Sequence, residues 1–176
     1  MLFDLIDITN PSNPTLASTF VGTGGDNELR DVQVQNGIGY FSSDSRTGGG
    51  GIYIVDVSNP YKPVQLARID ESNGGLPFVH TLFVDGRYLY EVVPKIAEIR
   101  VFDVSRPANP TFVRSIPSPS GFGIHEVTVR NGRLYGADFH NNGQTTIFDV
   151  SKVGDLSVPV PLLGTISSGS GTHTSL

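Results

Sequence analysis

The residues best suited to chemistry are histidines, and the 176-residue chain has only four. Three of them open short runs that read as the starts of strands: Val79-His80-Thr81-Leu82-Phe83, Ile124-His125-Glu126-Val127 and Thr172-His173-Thr174-Ser175-Leu176. Arg30, in Leu29-Arg30-Asp31-Val32, takes the same place in an earlier run. Imidazole titrates near neutral pH and ligates zinc, copper, nickel or iron through a lone pair. If these runs are successive first strands around an axis, Arg30, His80, His125 and His173 crowd one mouth of a channel. Such a ring can hold a metal, an anion or a substrate carboxylate. Glu126 and Asp31 flank it, and Asp138 and His140 are further donors. A divalent metal is the one cofactor this pattern implies, with His80, His125 and His173 as its ligands, although the chain does not require one. The competing reading has each His bonded locally, because adjacent first strands stand further apart than paired strands and polar groups are usually satisfied nearby.

No other motif carries as much. Gly48-Gly49-Gly50-Gly51 follows Arg46-Thr47 but is not followed by Gly-Lys-Ser/Thr, so it reads as a loop rather than a phosphate cradle. Gly22-Thr23-Gly24-Gly25 leads into no helix and fails the dinucleotide pattern. Ser168-Gly169-Ser170-Gly171 is loop-like, and no Gly-x-Ser-x-Gly elbow occurs. With no cysteine, disulfides, thiolate metal sites and Cys nucleophiles are all absent. The net charge of −5 and scattered Lys and Arg argue against nucleic acid or an anionic membrane as partner. No apolar run approaches the roughly 18 residues of a membrane-spanning helix. The start Met1-Leu2-Phe3-Asp4 has no basic segment and does not read as a secretory signal.

The elements that must position the histidines are set by a repeat. Ile52-Tyr53-Ile54-Val55-Asp56-Val57-Ser58-Asn59-Pro60 recurs as Leu2 to Pro11, Ile99 to Pro107 and Thr146 to Ser151. Its Asp falls at Asp7, Asp56, Asp103 and Asp149, in steps of 49, 47 and 46 residues. A second signal keeps the same period. Asn36-Gly37, Asp85-Gly86 and Asn131-Gly132 sit between alternating segments and predict tight hairpin turns. Each full unit then has four strands: a hairpin, the Asp-Val-Ser strand, and an outer strand after the prolines. In the second unit these are about Val79–Val84, Tyr88–Val93, Glu98–Val104 and Thr111–Ile116. No stretch shows helical periodicity, so essentially no helix is expected. Tyr40, Tyr90 and Tyr135 share one position and read as core packing.

The repeated Asp invites a Ca²⁺ reading, since carboxylates at strand ends bind that ion. The structural reading is stronger. Asp and Ser at a strand end accept bonds from turn amides, and Asn-Pro fixes the chain reversal. Four copies on four blades do not converge on one site. Asp7, Asp56, Asp103 and Asp149 are therefore expected to be turn residues.

Ile52 to Pro63 and Ile99 to Pro110, together with the hairpins at Asp85–Tyr90 and Asn131–Tyr135, resemble the LVIVD repeat. That resemblance implies an all-β β-propeller of four-stranded antiparallel blades. About three and a half blades are present, and a whole propeller would have roughly six to eight. The expected division is a half blade at 1–24, blades at 25–73, 74–120 and 121–169, and the start of the next inner strand at 170–176. The last copy departs from the pattern, because Ser151 is followed by Lys152 to Pro159 instead of Asn-Pro. Such a count suggests a piece of a longer polypeptide, or one completed by a second copy. The resemblance also implies an exported or cell-surface protein. The function expected is a non-catalytic scaffold that binds a protein partner or its own copies through open blade edges. The alternatives are a metal-binding or oxidase-like propeller enzyme at the histidines and a self-assembling structural subunit.

Overall fold

The computed structural model describes residues 2–23, 28–44, 49–94, 96–119, 121, 123–138, 143–167, 169 and 171–173. Gly24, Gly25, Arg46, Thr47, Gly48, His140, Ser168, Ser170 and Thr174 to Leu176, singled out above, lie outside the described residues.

Strands β1 (Leu2–Asp7) and β2 (Thr15–Val21) form a two-stranded antiparallel sheet. Three four-stranded sheets follow, each a simple up-and-down meander. The first comprises β3 (Leu29–Gln35), β4 (Ile38–Ser43), β5 (Gly51–Asp56) and β6 (Val64–Ile69). The second comprises β7 (Thr81–Asp85), β8 (Tyr88–Val92), β9 (Glu98–Asp103) and β10 (Thr111–Pro117). The third comprises β11 (Glu126–Arg130), β12 (Arg133–Asp138), β13 (Gln144–Asp149) and β14 (Leu162–Ser167). These are propeller blades by strand number, order and direction. Among the described residues the sole helical element is one 3₁₀ turn, Glu71–Asn73. Its caps make it: Asp70 accepts from the Ser72 amide and the Asn73 side chain accepts from the Asp70 amide.

The chain divides into two compact units, Met1–Val79 with Pro107–Asn109 and His80–Arg106 with Pro110–Leu176. In the first, Phe3 stacks between Phe20 and Phe41, at 4.9 and 3.8 Å, over buried Tyr53 and Val55. Tyr53 donates its hydroxyl to the Gly49 carbonyl at 2.8 Å, and the Arg68 guanidinium lies 5.1 Å above its ring. In the second, Tyr90, Val92, Ile99 and Val101 pack against Val127, Val129, Leu134 and Phe148 of the next blade. That apolar face, removed from water, holds the two blades together. Gly136 belongs there because a Cβ would come within 2.6 Å of Ile124 Cδ1. Tyr40 and Tyr90 are buried, whereas Tyr135 is half-buried.

The Asp motif builds the same turn in every sheet. Asp7 accepts from the Thr9 amide, Asp56 from that of Ser58, Asp103 from that of Ser105 and Asp149 from that of Ser151, at 2.8–2.9 Å. The Val after the Asp then docks on the hairpin: Val57, Val104 and Val150 donate to the carbonyls of Gly37, Arg87 and Gly132, each at 2.8 Å. All four outer strand pairs also shift register, at Leu5/Ile6, Ile54/Val55, Phe112/Arg114 and Ile147/Phe148. An outer strand must twist further than an inner one, and an unpaired residue supplies the twist.

The middle hairpin corrects the sequence reading. Asn36-Gly37 and Asn131-Gly132 are the central turn residues, all with positive φ. In the second sheet Asp85 instead pairs with Tyr88, so the turn is Gly86-Arg87 rather than Asp85-Gly86. Gly86 has φ 58° in the first central position, which suits a II′ turn. Arg87, not Gly86, is the counterpart of Gly37 and Gly132.

Candidate functional site: a histidine-lined end of the blades

His80 and His125 each continue a first strand by one residue. The His80 amide donates to the Val92 carbonyl at 3.2 Å, and the His125 amide to that of Ala137 at 2.8 Å. Their main chains are thus held by the β7–β8 and β11–β12 ladders. Thr81 ties the two blades by donating its hydroxyl to the His125 carbonyl at 2.7 Å.

The side chains then bridge the gap between first strands. His80 Nε2 stands 3.1 Å from His125 Nε2, with ring centroids 4.7 Å apart and nearly perpendicular. The ring of His173 lies 4.0 Å from that of His125, and His173 Nδ1 is 3.8 Å from Glu126 Oε2. His125 is the hub, and 9% of its surface remains exposed. The side chains of Glu126 and His173 are 29% and 70% exposed, so the cluster opens to solvent on the His173 side. Burial, with the nearby His173 and His80, pushes the His125 pKa below the usual imidazole value. Glu126 and a bond with the His173 backbone oppose that shift. A neutral imidazole with an available lone pair is the form that binds metals.

His125, Glu126 and His173 each offer a ligand atom within 4.8 Å of the other two. His80 joins through His125. Arg30 belongs to the other unit, where it pairs with Asp44 Oδ2 at 3.4 Å and Glu28 Oε2 at 3.8 Å. The β3–β4 register shifts between Leu29 and Val32, and Asp31 donates its amide to the Ser42 hydroxyl. Arg30 and Asp31 therefore occupy a bulge where their counterparts His125 and Glu126 meet a regular ladder.

Two buried carboxylates lie on the strands that carry these residues. Asp138 closes β12 and stands across the extended ladder from His125, almost fully buried. Glu91 is wholly buried on β8, with Leu82 and Arg100 as its cross-strand neighbours. Sequence reasoning missed Glu91. The signal was a charged residue at the place after the repeated Tyr, where Phe41 and Gly136 stand in the other blades.

The LVIVD repeat model matches residues 3–21, 47–70 and 79–117. Over these segments the chain is similar to the LVIVD repeat. No curated protein matches it in sequence. Solved structures do match in fold. One is a candidate 6-phosphogluconolactonase from Bacteroides fragilis, 13% identical with a TM-score of 0.66, covering 95% of this chain and 52% of that one. Another is a protein from Lactobacillus plantarum, 15% identical with a TM-score of 0.66, covering 96% and 49%. A third is a hypothetical selenium-binding protein from Sulfolobus tokodaii, 14% identical with a TM-score of 0.60, covering 88% and 44%. The chain spans about half the length of these structures. At such identities the likeness is one of fold, and that fold is the β-propeller.

Proposed function

We propose that this chain is part of a non-catalytic binding propeller, displayed at the cell surface or outside the cell, that holds its ligand at the histidine-lined end. The observation that supports this is the meeting of His80, His125 and His173 beside Glu126, on main chain already fixed by two ladders. Rigid repeats that present side chains at one end of the strands are a common way to build a binding site. The location rests on the family resemblance. Fractionating cells that express the full-length protein tests it, and a purely cytoplasmic signal would overturn it.

Binding is tested by following the imidazole resonances while titrating acetate, inorganic phosphate or a short acidic peptide. Saturable shifts confined to His80, His125 and His173 are expected. Shifts that are uniform or never saturate would count against the reading. A propeller enzyme at the same histidines is the alternative, and it would show turnover of a bound substrate where the binding reading has none.

A second reading, self-association, is favoured by a separate observation. Leu2, Ile6, Leu16 and Val21 lie exposed on one face of the two-stranded sheet, and its other face borders a cleft of about 430 Å³ lined by Phe3, Leu5, Leu29, Val34 and Phe41. Exposed apolar residues paired across one face of the sheet suit a second copy of the chain. Light scattering over a concentration series decides it, and a constant monomer mass would remove this reading.

A further inference from the structure

The contacts around His125 have a chemistry narrower than general binding. Ligand atoms around a tetrahedral metal with bonds of about 2.0–2.1 Å stand roughly 3.3 Å apart. His80 Nε2 and His125 Nε2 are 3.1 Å apart, and His173 Nδ1 and Glu126 Oε2 are 3.8 Å apart. The two pairs are joined by the ring of His173, which lies 4.0 Å from that of His125. Two imidazoles and a carboxylate whose ligand atoms lie within 4.8 Å of one another have the composition of a transition-metal site.

We propose that His125, Glu126 and His173 bind one divalent transition-metal ion of the zinc, nickel or copper class, with His80 positioning the His125 ring from the other side; this rests on the binding reading of the same end. The donor set selects the class. Calcium and magnesium take oxygen ligands almost throughout. Soft monovalent copper prefers thiolates and thioethers, whereas the chain has no Cys and a single Met. Imidazole nitrogen with one carboxylate suits zinc, nickel and divalent copper. The site is also partly organised in advance. Ladder bonds hold the backbones of His80 and His125, and Thr81 fixes the His125 carbonyl. Exposed His173 gives an ion its route in.

The test uses the whole chain, stripped with a chelator and then titrated with Zn²⁺ by calorimetry and with Co²⁺ by its visible ligand-field bands. One ion per chain is expected, with intense bands that report nitrogen-rich, near-tetrahedral coordination. His173→Ala and Glu126→Gln change exposed or half-exposed side chains and should leave the circular dichroism spectrum unaltered. Each should weaken metal binding at least tenfold, while Glu71→Gln on the 3₁₀ turn should have no effect. Absence of one-to-one binding, or binding unaffected by both His173→Ala and Glu126→Gln, overturns the proposal. If Zn²⁺ fails to bind while acetate, phosphate or the acidic peptide still shifts the same imidazoles, the metal proposal falls alone. If none of these probes binds, the binding reading falls with it.

Discussion

His80 Nε2 and His125 Nε2 stand 3.1 Å apart, close enough that at most one of them carries a proton in the contact. One nitrogen donates and the other accepts, so the contact needs at least one neutral ring. Burial selects His125 for that role, since a charged group loses more when water is removed.

A pH dependence follows for the metal-free chain. The groups facing His125 are His80, His173 and Glu126, and burial and the two histidines outweigh Glu126 and the His173 backbone in lowering its pKa from 6.5. A histidine whose folded pKa is depressed binds fewer protons folded than unfolded. Its contribution to stability is full above the unfolded value, declines as pH falls below about 6.5, and levels off below the folded value. Denaturant midpoints measured between about pH 7.5 and 5 should therefore fall in the native chain and fall less in His125→Gln. Equal slopes in the two proteins would show that His125 is not the group responsible.

Asp103 should matter more than the other turn aspartates. Burial works against its ionisation, but the Arg87 guanidinium and the Ser105 amide and side chain outweigh it and hold the pKa at about 2. Asp149 accepts from Ser151 and lies at the surface. Asp103→Asn keeps an oxygen for the turn amide but loses the pairing with Arg87. Because Arg87 is itself largely exposed, the expected cost at neutral pH is only about 1 kcal/mol. Asp149→Asn should cost less. The sign for Asp103 is that of a depressed acid: its contribution is present above 3.8 and disappears as pH falls towards 2. A stability difference between the native chain and Asp103→Asn that persists unchanged into strong acid would contradict this account.

Gly132 is a position where a side chain carries a measurable cost. Its φ is +73°, and a Cβ would meet Ser151 Cβ at 3.1 Å, in the turn where Val150 docks on the hairpin. Gly132→Ala should destabilise the chain by about 1–2 kcal/mol, from left-handed strain plus that contact. Gly164 on β14 is the control, because an added Cβ there has nothing within 4 Å and its φ is ordinary. Gly164→Ala should be neutral or slightly stabilising, since it restricts the unfolded chain. Thermal melts of the two variants compare them directly, and a Gly132→Ala melt equal to the native one would refute the strain.

The blades are legible in the sequence because their cause is local. An apolar run ended by Asp-Val-Ser must be a buried strand followed by a turn, and its period counts the sheets without any knowledge of packing. The second hairpin is read one residue too early because Asp85-Gly86 has the composition of a I′ turn. Which pair occupies the turn depends on cross-strand register, and there Asp85 pairs with Tyr88. The 3₁₀ turn at Glu71–Asn73 has no periodicity to read and exists through the capping of Asp70 and Asn73. For the site, the shared register of His80, His125 and His173 is visible along the chain. Glu126 is read there as a flanking donor, but the separate engagement of Arg30 by Asp44 and Glu28 is not visible. That depends on the bulge in β3, which leaves no pattern in the order of residues.

The irregular loop of the last blade has its own fastening, and removing it should loosen that loop alone. Lys152 to Pro159 replaces the usual Asn-Pro turn, yet Asp155 accepts from the Ser157 amide at 3.0 Å and from its hydroxyl at 2.6 Å, repeating the Asp-x-Ser turn one step later. Arg114, on β10 of the preceding blade, then donates to the carbonyls of Val158 and Asp155 at 3.0 and 3.1 Å. Two charge-assisted bonds from one planar guanidinium fix both ends of the second turn, a geometry that a lysine ammonium cannot copy. Arg114→Ala should cost about 1–2 kcal/mol, and Arg114→Lys should recover less than half of it. Hydrogen exchange is the measurement that distinguishes this from a general loss of stability. Amides of 153–158 should exchange faster in Arg114→Ala, while those of β11 and β12, held by the ladder and the core around Leu134, keep their native rates. Uniformly faster exchange across the whole blade would mean that Arg114 supports the sheet rather than the loop.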